Sequence, residues 1–474
     1  MIRGRRYVYG IPVSSPPVLA PTTMQSSVSQ YGITWTFDQE YPVGQFVNGD
    51  YFVVANSDVT IVDIDPPSVL DEGEYHNGSM LNPESGQGFD SRPSGGSTGF
   101  PYDHALNVAF GVSTETPLNL VATDSLISSR SKATLGAPGN FVHRHAVLTI
   151  VAATPRAEAF RPPFVGVDKT LPYSNASYTW SDVRTELLQN LTVVGNRPTW
   201  ASAEPRILQP FCWWSHEWNG GRGVAWGDED PNVQIVADYG REIAGHIGTM
   251  ALMINSSAPI ADKKMTIVGL IQRGIDDWGI YRNARVERDP VYSFPWNPDG
   301  NIFAGHKLPI LLAGVLLDDE EMRNVGFIAE KFHEDGQVWR VAEADVGRAL
   351  SAGKIPYEEQ HVGMPEWGIR HSTNINEDDS NWAQAYRGGH ISYPGITLAP
   401  LVMGLKELYN HDVFFDYMHR YMHIAAGDPC PFGYSVPNES AGNRGNWDRH
   451  WPGNGTWAVA MYDEYWADYY SVPT

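Results

Sequence analysis

The sequence predicts a mainly α protein: an (α/α) toroid or barrel with a β-rich N-terminal portion. Two observations predict this fold class. Short β-branched and aromatic runs, bounded by Gly, Pro, Asn and Asp, fill residues 33–170, whereas apolar residues recur every three to four positions after about residue 180. No strand pattern interrupts the second half and no fixed-period repeat is present, which favours a closed ring over an open solenoid. We therefore predict an N-terminal arm (1–32), a β-rich region packed on the barrel (33–175) and an α/α barrel (176–474).

The predicted strands of the first half are short. They cover residues 33–37, 51–55, 59–64 and 146–152. Between them, residues 71–104 hold many Gly, Ser, Pro and Asn residues and predict a long loop or flap. The arm is rich in Pro and Ser and must pack either on its own domain or on a neighbouring subunit, so we expect a homo-oligomer tied together by the arm as one outcome.

The helices of the second half are predicted from apolar spacing. The longest has Ile235, Tyr239, Ile243, Ile247 and Ile254 on one face. Further helical stretches cover about 182–194, 260–274, 306–317, 320–332, 396–409, 411–424 and 456–470. A closed toroid gathers its connecting loops at one end, where they form a cleft. Those loops are rich in Trp, His, Tyr, Asn and Arg, so we expect the functional site there.

Composition and charge exclude several classes of protein. Of the 474 residues, 42 % are hydrophobic and 19 % charged, as in a folded globular chain rather than a disordered one. The formal charge of −22 repels nucleic acid and anionic lipid headgroups. We predict neither a nucleic-acid partner nor a membrane partner, and the chain has no apolar run long enough to span a bilayer. Cys212 and Cys430 allow either one long-range bridge or two buried thiols.

The expected localisation depends on the N-terminus. Residues 1–7 are positively charged, but no apolar segment of a secretion signal follows them. An extracellular or periplasmic location is expected if a signal peptide has been removed, and a cytoplasmic location otherwise.

The first candidate site residues lie in the segment 211–220, which contains three Trp, one His, one Glu and one Asn. Sugar rings stack on aromatic faces and bond to amides, so this composition suits a carbohydrate cleft, with a buried aromatic cluster as the alternative. The substrate-binding candidates in the segment are Trp213, Trp214, His216 and Asn219. Tyr239 and Arg241 are added at the start of the long helix, where pairing of Arg241 with a neighbouring charge is the alternative.

Two further groups combine acid–base and cationic side chains. His306 and Lys307 lie where a glycine-punctuated loop enters an apolar helix, a position at which positive charge opposes the helix dipole, and this suggests a functional reason for them. The densest group of such side chains falls within residues 366–393, in loops beside the helical scaffold. Its members are Arg370, His371, Arg387, His390 and Tyr393, and Trp367 in the same stretch is a further substrate-binding candidate.

Seven segments, in order along the chain, carry a resemblance that extends over about residues 33–470. They are 43–51, 76–83, 160–164, 239–242, 305–309, 334–337 and 365–371. Together they resemble a bacterial family related to the alginate and glucuronan lyases of polysaccharide lyase family 38. The resemblance implies an (α/α) barrel and β-elimination on a uronic-acid polymer, a reaction that needs no redox cofactor.

The resemblance also implies roles for the candidates. In such lyases an Asn, His or Arg neutralises the C5 carboxylate, a His or Tyr removes the C5 proton, and a Tyr or His protonates the departing O4. This implies carboxylate neutralisation by Arg387 with Asn301 or Asn219, and an acid–base pair formed by Tyr393 with His306 or His371. The three aromatic rings implied to stack on sugars are Trp213, Trp214 and Trp367.

The sequence departs from the family pattern just before the apolar helix. Residues 300–302, Gly-Asn-Ile, replace a Gly-Gly-His, and His306-Lys307 replaces Arg-Lys. Either Asn301 or His306 has taken over the function of the missing His, or the chemistry has changed or been lost. An anionic polysaccharide also requires a locally positive cleft on this acidic chain, which we predict from Arg241, Lys307, Arg370 and Arg387.

Two other functions stay open. A glycoside hydrolase on an α/α barrel needs two opposed carboxylates, for which Glu217, Asp299, Glu366 and Asp379 are available. A non-catalytic carbohydrate-binding or assembly protein would keep the fold without the acid–base pair. No cofactor is required. Ca²⁺ is compatible with Asp63, Asp65 and the acidic run 377–379, although such loops are more often only solvated.

Overall fold

The structure is a computed structural model, and it describes residues 18–84, 88–92, 102–131, 142–167, 178–210, 240–284, 296, 303–329, 332–347, 357–367, 392–423 and 455–471. About 40 % of these residues are helical and about 25 % lie in strands. The prediction of a mainly α toroid is wrong. A curled mixed sheet forms the N-terminal part, and the helices within these ranges do not form a clear α/α ring.

The strands form one large sheet and two small two-stranded sheets. They are β1 (Thr23–Gln30), β2 (Ile33–Gln45), β3 (Tyr51–Val54), β4 (Val59–Asp65), β5 (Val69–Asp71), β6 (Glu74–His76), β7 (Ser79–Leu81), β8 (Leu118–Leu120), β9 (Ser125–Ser131), β10 (Val142–Val151), β11 (Val338–Arg340) and β12 (Pro365–Trp367). The large sheet has the order β7-β9-β10-β3-β2-β4-β8, with β1 paired to β2. β10 and β3 are parallel, and the other pairs are antiparallel.

Alternation of apolar and polar residues determines the inner face of the sheet. In β2, Ile33, Trp35 and Phe37 are buried, while the threonines between them are half-buried. These buried side chains pack with Leu148 and Ile150 of β10 in a core enclosed by the curled sheet. The strands predicted at 33–37, 51–55, 59–64 and 146–152 are therefore confirmed.

Two parts of the N-terminal prediction need correction. Residues 71–104 are not simply a loop, since β6 and β7 lie there. Residues 23–30, assigned to the arm, form β1 and pair with β2 of the same chain. A polar strand such as β1 lacks the apolar alternation by which the other strands are recognised.

Ten α-helices lie within the described ranges. They are α1 (Trp200–Leu208), α2 (Gly240–Ile254), α3 (Ile260–Ala284), α4 (Lys307–Leu317), α5 (Glu320–Arg323), α6 (His333–Gln337), α7 (Pro394–Val402), α8 (Lys406–Tyr409), α9 (Asp412–His423) and α10 (Gly455–Tyr469). Short 3-10 turns lie at His104–Leu106, Trp180–Asp182, Thr185–Leu187, Val325–Phe327, Glu343–Asp345 and Glu359–His361.

Most predicted helices are confirmed, with three exceptions. Among its described residues, the stretch 320–332 is α-helical only in α5, after which the chain forms the 3-10 turn Val325–Phe327. The stretch 182–194 is not a helix, because its backbone bonds outward: the Leu191 amide donates to the Asn255 carbonyl and the Gln189 amide to the Asn255 side chain, both at 2.9 Å. The stretch 396–409 is divided into α7 and α8 at Gly404, whose φ of +67° ends the first helix. The sequence did not predict the β11–β12 pair, because each of its strands has only three residues.

Close helix contacts bring several helix starts together. α2 and α7 touch at Gly248 and Gly395, where a Cβ on Gly248 would lie 2.4 Å from the Ile396 backbone nitrogen. Further along, a Cβ on Gly305, just before α4, would meet the Ala244 backbone at 2.7 Å. The starts of α4 and α7 therefore both pack against α2, in its second and third turns, on the side of the core where one face of the sheet packs against the helices.

Candidate active site

The converging helix starts carry four of the predicted site residues. His306 and Lys307 begin α4, Tyr393 directly precedes α7, and Trp367 ends β12. All four side chains are buried, as are their neighbours from α6 and α8. We use the name helix-start cluster for the group His306, Lys307, Glu334, Asp335, Trp367, Tyr393 and Tyr409.

Gly305 fixes the geometry at the start of α4. Its φ of +96° and its contact with Ala244 exclude a side chain at this position. Its amide donates a 2.6 Å hydrogen bond to Oε1 of Glu334, which joins the α4 start to α6. Because helix N-termini carry partial positive charge, the joined starts favour an anionic group nearby.

His306 is held as a buried imidazole. Its ring stacks on Trp296 with centroids 4.3 Å apart. Its Nδ1 lies 3.3 Å from Asp277 Oδ2 and 3.2 Å from Arg273 Nη2. Burial lowers the pKa of His306, and the Asp277 carboxylate offsets part of that effect. The imidazole is therefore neutral near pH 7 and can accept a proton.

Lys307 is buried, and its counter-ion Asp335 is half-buried. Its Nζ donates to both carboxylate oxygens of Asp335, at 2.6 and 2.8 Å, and lies 4.2 Å from the centroid of the Tyr409 ring. The ammonium charge is therefore compensated within the cluster. Of the four cations predicted to make a positive cleft, only Lys307 has a described side chain, and it brings no net positive charge.

Trp367 and Tyr393 form an aromatic wall beside this ion pair. Their ring centroids are 5.4 Å apart, and Trp367 also lies 5.8 Å from the His333 ring. Both rings are fully buried. Trp367 thus contacts protein rings in this structure, and the proposed stacking on a sugar stays a prediction.

Glu366, the neighbour of Trp367, is a glycoside-hydrolase candidate with several partners. Its Oε1 accepts from the Trp367 amide at 2.8 Å and lies 3.7 Å from Arg420 Nη1. Its Oε2 accepts from the Tyr357 hydroxyl at 3.3 Å. Both oxygens are engaged by protein groups, which is typical of a structural carboxylate.

Glu334 is the residue of this site that sequence reasoning missed. Only 1 % of it is exposed; Oε1 accepts from Gly305, and Oε2 has no partner among the described residues. Burial raises the pKa of Glu334 to about 7. Residues 334–337 carried part of the family resemblance, but an acidic pair in the first turn of a helix is also an ordinary stabilising pattern, so no function was assigned to it.

Replacing Glu334 by Gln should stabilise the protein at high pH. The folded state disfavours ionised Glu334, so the substitution should add up to about 3 kcal/mol to the free energy of unfolding at about pH 8, and under about 1 kcal/mol at about pH 5, near the pKa of the unfolded chain. Urea unfolding at both pH values measures this difference. Glu343→Gln, at an exposed position, serves as the control and should change neither value. Equal stability of wild type and E334Q at pH 8 would contradict the assignment.

The remaining predicted residues lie outside the described part of the chain. The site candidates concerned are Trp213, Trp214, His216, Asn219, Tyr239, Asn301, Arg370, His371, Arg387 and His390. Arg241 lies in α2, but its side chain is not described. Three hydrolase carboxylates and both cysteines also lie outside the described ranges, namely Glu217, Asp299, Asp379, Cys212 and Cys430.

Two of the Ca²⁺ candidates lie on a described strand. Asp63 and Asp65 are both exposed on β4, and 377–379 lies outside the described ranges. None of the described residues form a group of three or more His, Cys, Asp or Glu that could hold a metal ion. No described helix combines the length and apolar character needed to cross a bilayer.

Comparison with known proteins adds no relative to this picture. No protein-family model, no curated protein and no solved structure matches the chain. The family resemblance seen in the short segments therefore stays a prediction, and the functional argument depends on the helix-start cluster.

Proposed function

We propose that the protein is a polysaccharide lyase that cleaves a uronic-acid-containing polymer of the alginate or glucuronan type by β-elimination. The observation that supports this proposal is that His306 and Tyr393, two acid–base candidates chosen from distant parts of the sequence, belong to one buried cluster. The ring of Tyr409 connects them, since it lies against Lys307, the neighbour of His306, and interacts electrostatically with Tyr393.

The chemistry of β-elimination matches the residue types present. A base removes the C5 proton, the electron pair forms the C4=C5 double bond, the C4–O4 bond breaks, and O4 takes a proton. In the proposed mechanism Tyr393 and His306 act as the acid–base pair. The starts of α4 and α7 stabilise the negative charge that develops on the C5 carboxylate, with Arg387 and Asn301 as further predicted contributors.

The proposed substrate is an anionic polysaccharide, and no redox cofactor takes part. A homo-oligomer through the arm also stays a prediction, and it now concerns residues 1–17, because β1 already pairs within its own sheet.

The direct test is to incubate the protein with alginate, glucuronan and ulvan and to record ultraviolet absorbance of the unsaturated uronate. We expect an absorbance rise with at least one polymer, and a product with a 4,5-unsaturated end by mass spectrometry. No rise with any polyuronate would contradict the proposal. Binding of an oligosaccharide without turnover would instead favour the non-catalytic alternative.

One observation favours a second candidate, a glycoside hydrolase. Glu334 is a buried carboxylic acid whose pKa is raised to about 7, as a general acid of a glycosidase requires. The products distinguish the two candidates: hydrolysis gives a new reducing end without a double bond. Against this candidate, the other described carboxylates nearby are engaged, Asp335 by Lys307 and Glu366 by Tyr357.

A further inference from the structure

We propose that Glu334 is the acid that protonates the departing O4 in the elimination. This inference rests on the proposed lyase function and assigns a step to a residue that the sequence reasoning did not include. If it holds, Tyr393 is the base that takes the C5 proton, and His306 transfers no proton.

Only one oxygen of the Glu334 carboxyl group is held by a described residue. Oε1 is held by the Gly305 amide at 2.6 Å, while Oε2 is buried and has no partner within the described ranges. The Gly305 backbone cannot shift easily, because it lies against Ala244 and adopts a positive φ. One oxygen thus orients the group, and the other is left to exchange a proton.

The charges around the Glu334 carboxyl group also support this role. Among the described residues, Lys307 is the cation that acts on the Glu334 carboxyl group, and it gives both of its short bonds to Asp335, so no described residue forms an ion pair with Glu334. The described titratable groups around Glu334 are Asp335 on α6, Tyr409 on α8 and Lys307 on α4. A buried carboxyl group without a counter-ion keeps its proton to higher pH, and its pKa of about 7 leaves a substantial acid fraction at neutral pH.

The carboxylates near Glu334 are engaged by other protein groups. Asp335 is ion-paired with Lys307, and both oxygens of Glu366 accept hydrogen bonds. The hydroxyl of Tyr409 also has no partner among the described residues, but burial and the nearby carboxylates of Glu334 and Asp335 raise its pKa well above the usual value, which makes it a weaker acid. Glu334 is therefore the acid in this cluster best able to give up a proton near neutral pH.

The step balances without a further reactant. The base takes the C5 proton, the electron pair becomes the C4=C5 bond, and the C4–O4 bond breaks while the Glu334 proton passes to O4. Glu334 is left as a carboxylate and the base is left protonated. Transfer of that proton through solvent resets both groups.

The experiment compares two leaving groups. A polyuronate has a sugar hydroxyl leaving group, which needs a proton, whereas a synthetic uronate with a nitrophenoxy group at C4 loses a stable anion without one. We expect Glu334→Gln to lower kcat/KM on the polymer by about 10²–10³-fold. On the nitrophenoxy substrate the loss should stay below about tenfold. The exposed control Glu343→Gln should behave as wild type on both substrates.

The outcomes separate the inference from the proposed function. A wild-type enzyme that releases no unsaturated product from either substrate overturns the lyase proposal and the inference with it. An active wild type with E334Q equally impaired on both substrates, or impaired on neither, overturns the inference alone. Far- and near-ultraviolet circular dichroism of E334Q identifies misfolding. In that event the pH profile of the wild type decides, because kcat/KM on the polymer, but not on the nitrophenoxy substrate, should fall above about pH 7.

Discussion

Arg161→Met should lower the free energy of unfolding by about 3–5 kcal/mol, the usual cost of breaking a buried ion pair from one side. Arg161 is fully buried, and its guanidinium donates to Asp50 Oδ2 at 2.6 Å and to Asp276 Oδ2 at 2.6 Å. It joins the β2–β3 turn to α3, so its loss leaves two buried carboxylates uncompensated. Urea unfolding at pH 7 measures the change.

A matched control and a pH series sharpen this prediction. Arg156 pairs with Asp182 at 3.2 Å with about a third of each side chain exposed, so Arg156→Met should cost less than about 1 kcal/mol. Burial already raises the pKa of Asp276 to about 6 with Arg161 present. Acidification should therefore protonate the orphaned Asp276 carboxylate and reduce the R161M defect at pH 5. A defect as small as that of R156M would contradict the ion-pair account.

Tyr393→Phe should lower lyase activity by about 10²–10⁴-fold, the range expected when a proton-transfer group is removed. The ring is fully buried and packs against Trp367, so the phenylalanine keeps the aromatic contacts and the fold. The fall should be in kcat, with KM changed little, because the hydroxyl acts on the reacting atoms rather than on the rest of the polymer. Initial rates over a range of polymer concentrations measure both constants.

Tyr465→Phe provides the control for the loss of a tyrosine hydroxyl. That hydroxyl donates to the Thr192 carbonyl at 2.8 Å, on α10 and away from the helix-start cluster. Its removal should leave kcat unchanged. Activity of Y393F within a few-fold of wild type would exclude Tyr393 from proton transfer.

The sequence predicted the strands and helices that have strong periodicity and missed those that depend on tertiary contacts. Strands such as β2 alternate clearly, and α4 is apolar along its whole length. β9, in contrast, is rich in serine, and its Ser128 hydroxyl is buried because it accepts from the Trp35 indole at 2.9 Å and bonds to Ser79 at 2.7 Å. Such polar strands enlarge the sheet, and for that reason the mainly α prediction failed.

The candidate site was predicted at a position where the positive charge of a side chain opposes the helix dipole. A histidine and a lysine at the start of an apolar helix are unusual, and they are the reason why a functional site is predicted there. Glu334 lies in the first turn of a helix, where acidic residues are common, so it was not predicted as a site residue. Arg273 and Asp277 have the spacing of a surface ion pair on a helix, and only packing shows that both are buried beside His306.

The most direct test of the account is a crystal structure of the Y393F variant with a bound oligouronide. The account predicts one uronate in the helix-start cluster, with C5 near residue 393 and the glycosidic O4 within hydrogen-bonding distance of Glu334. An oligouronide bound at another surface, with the helix-start cluster still closed around its own side chains, would contradict it.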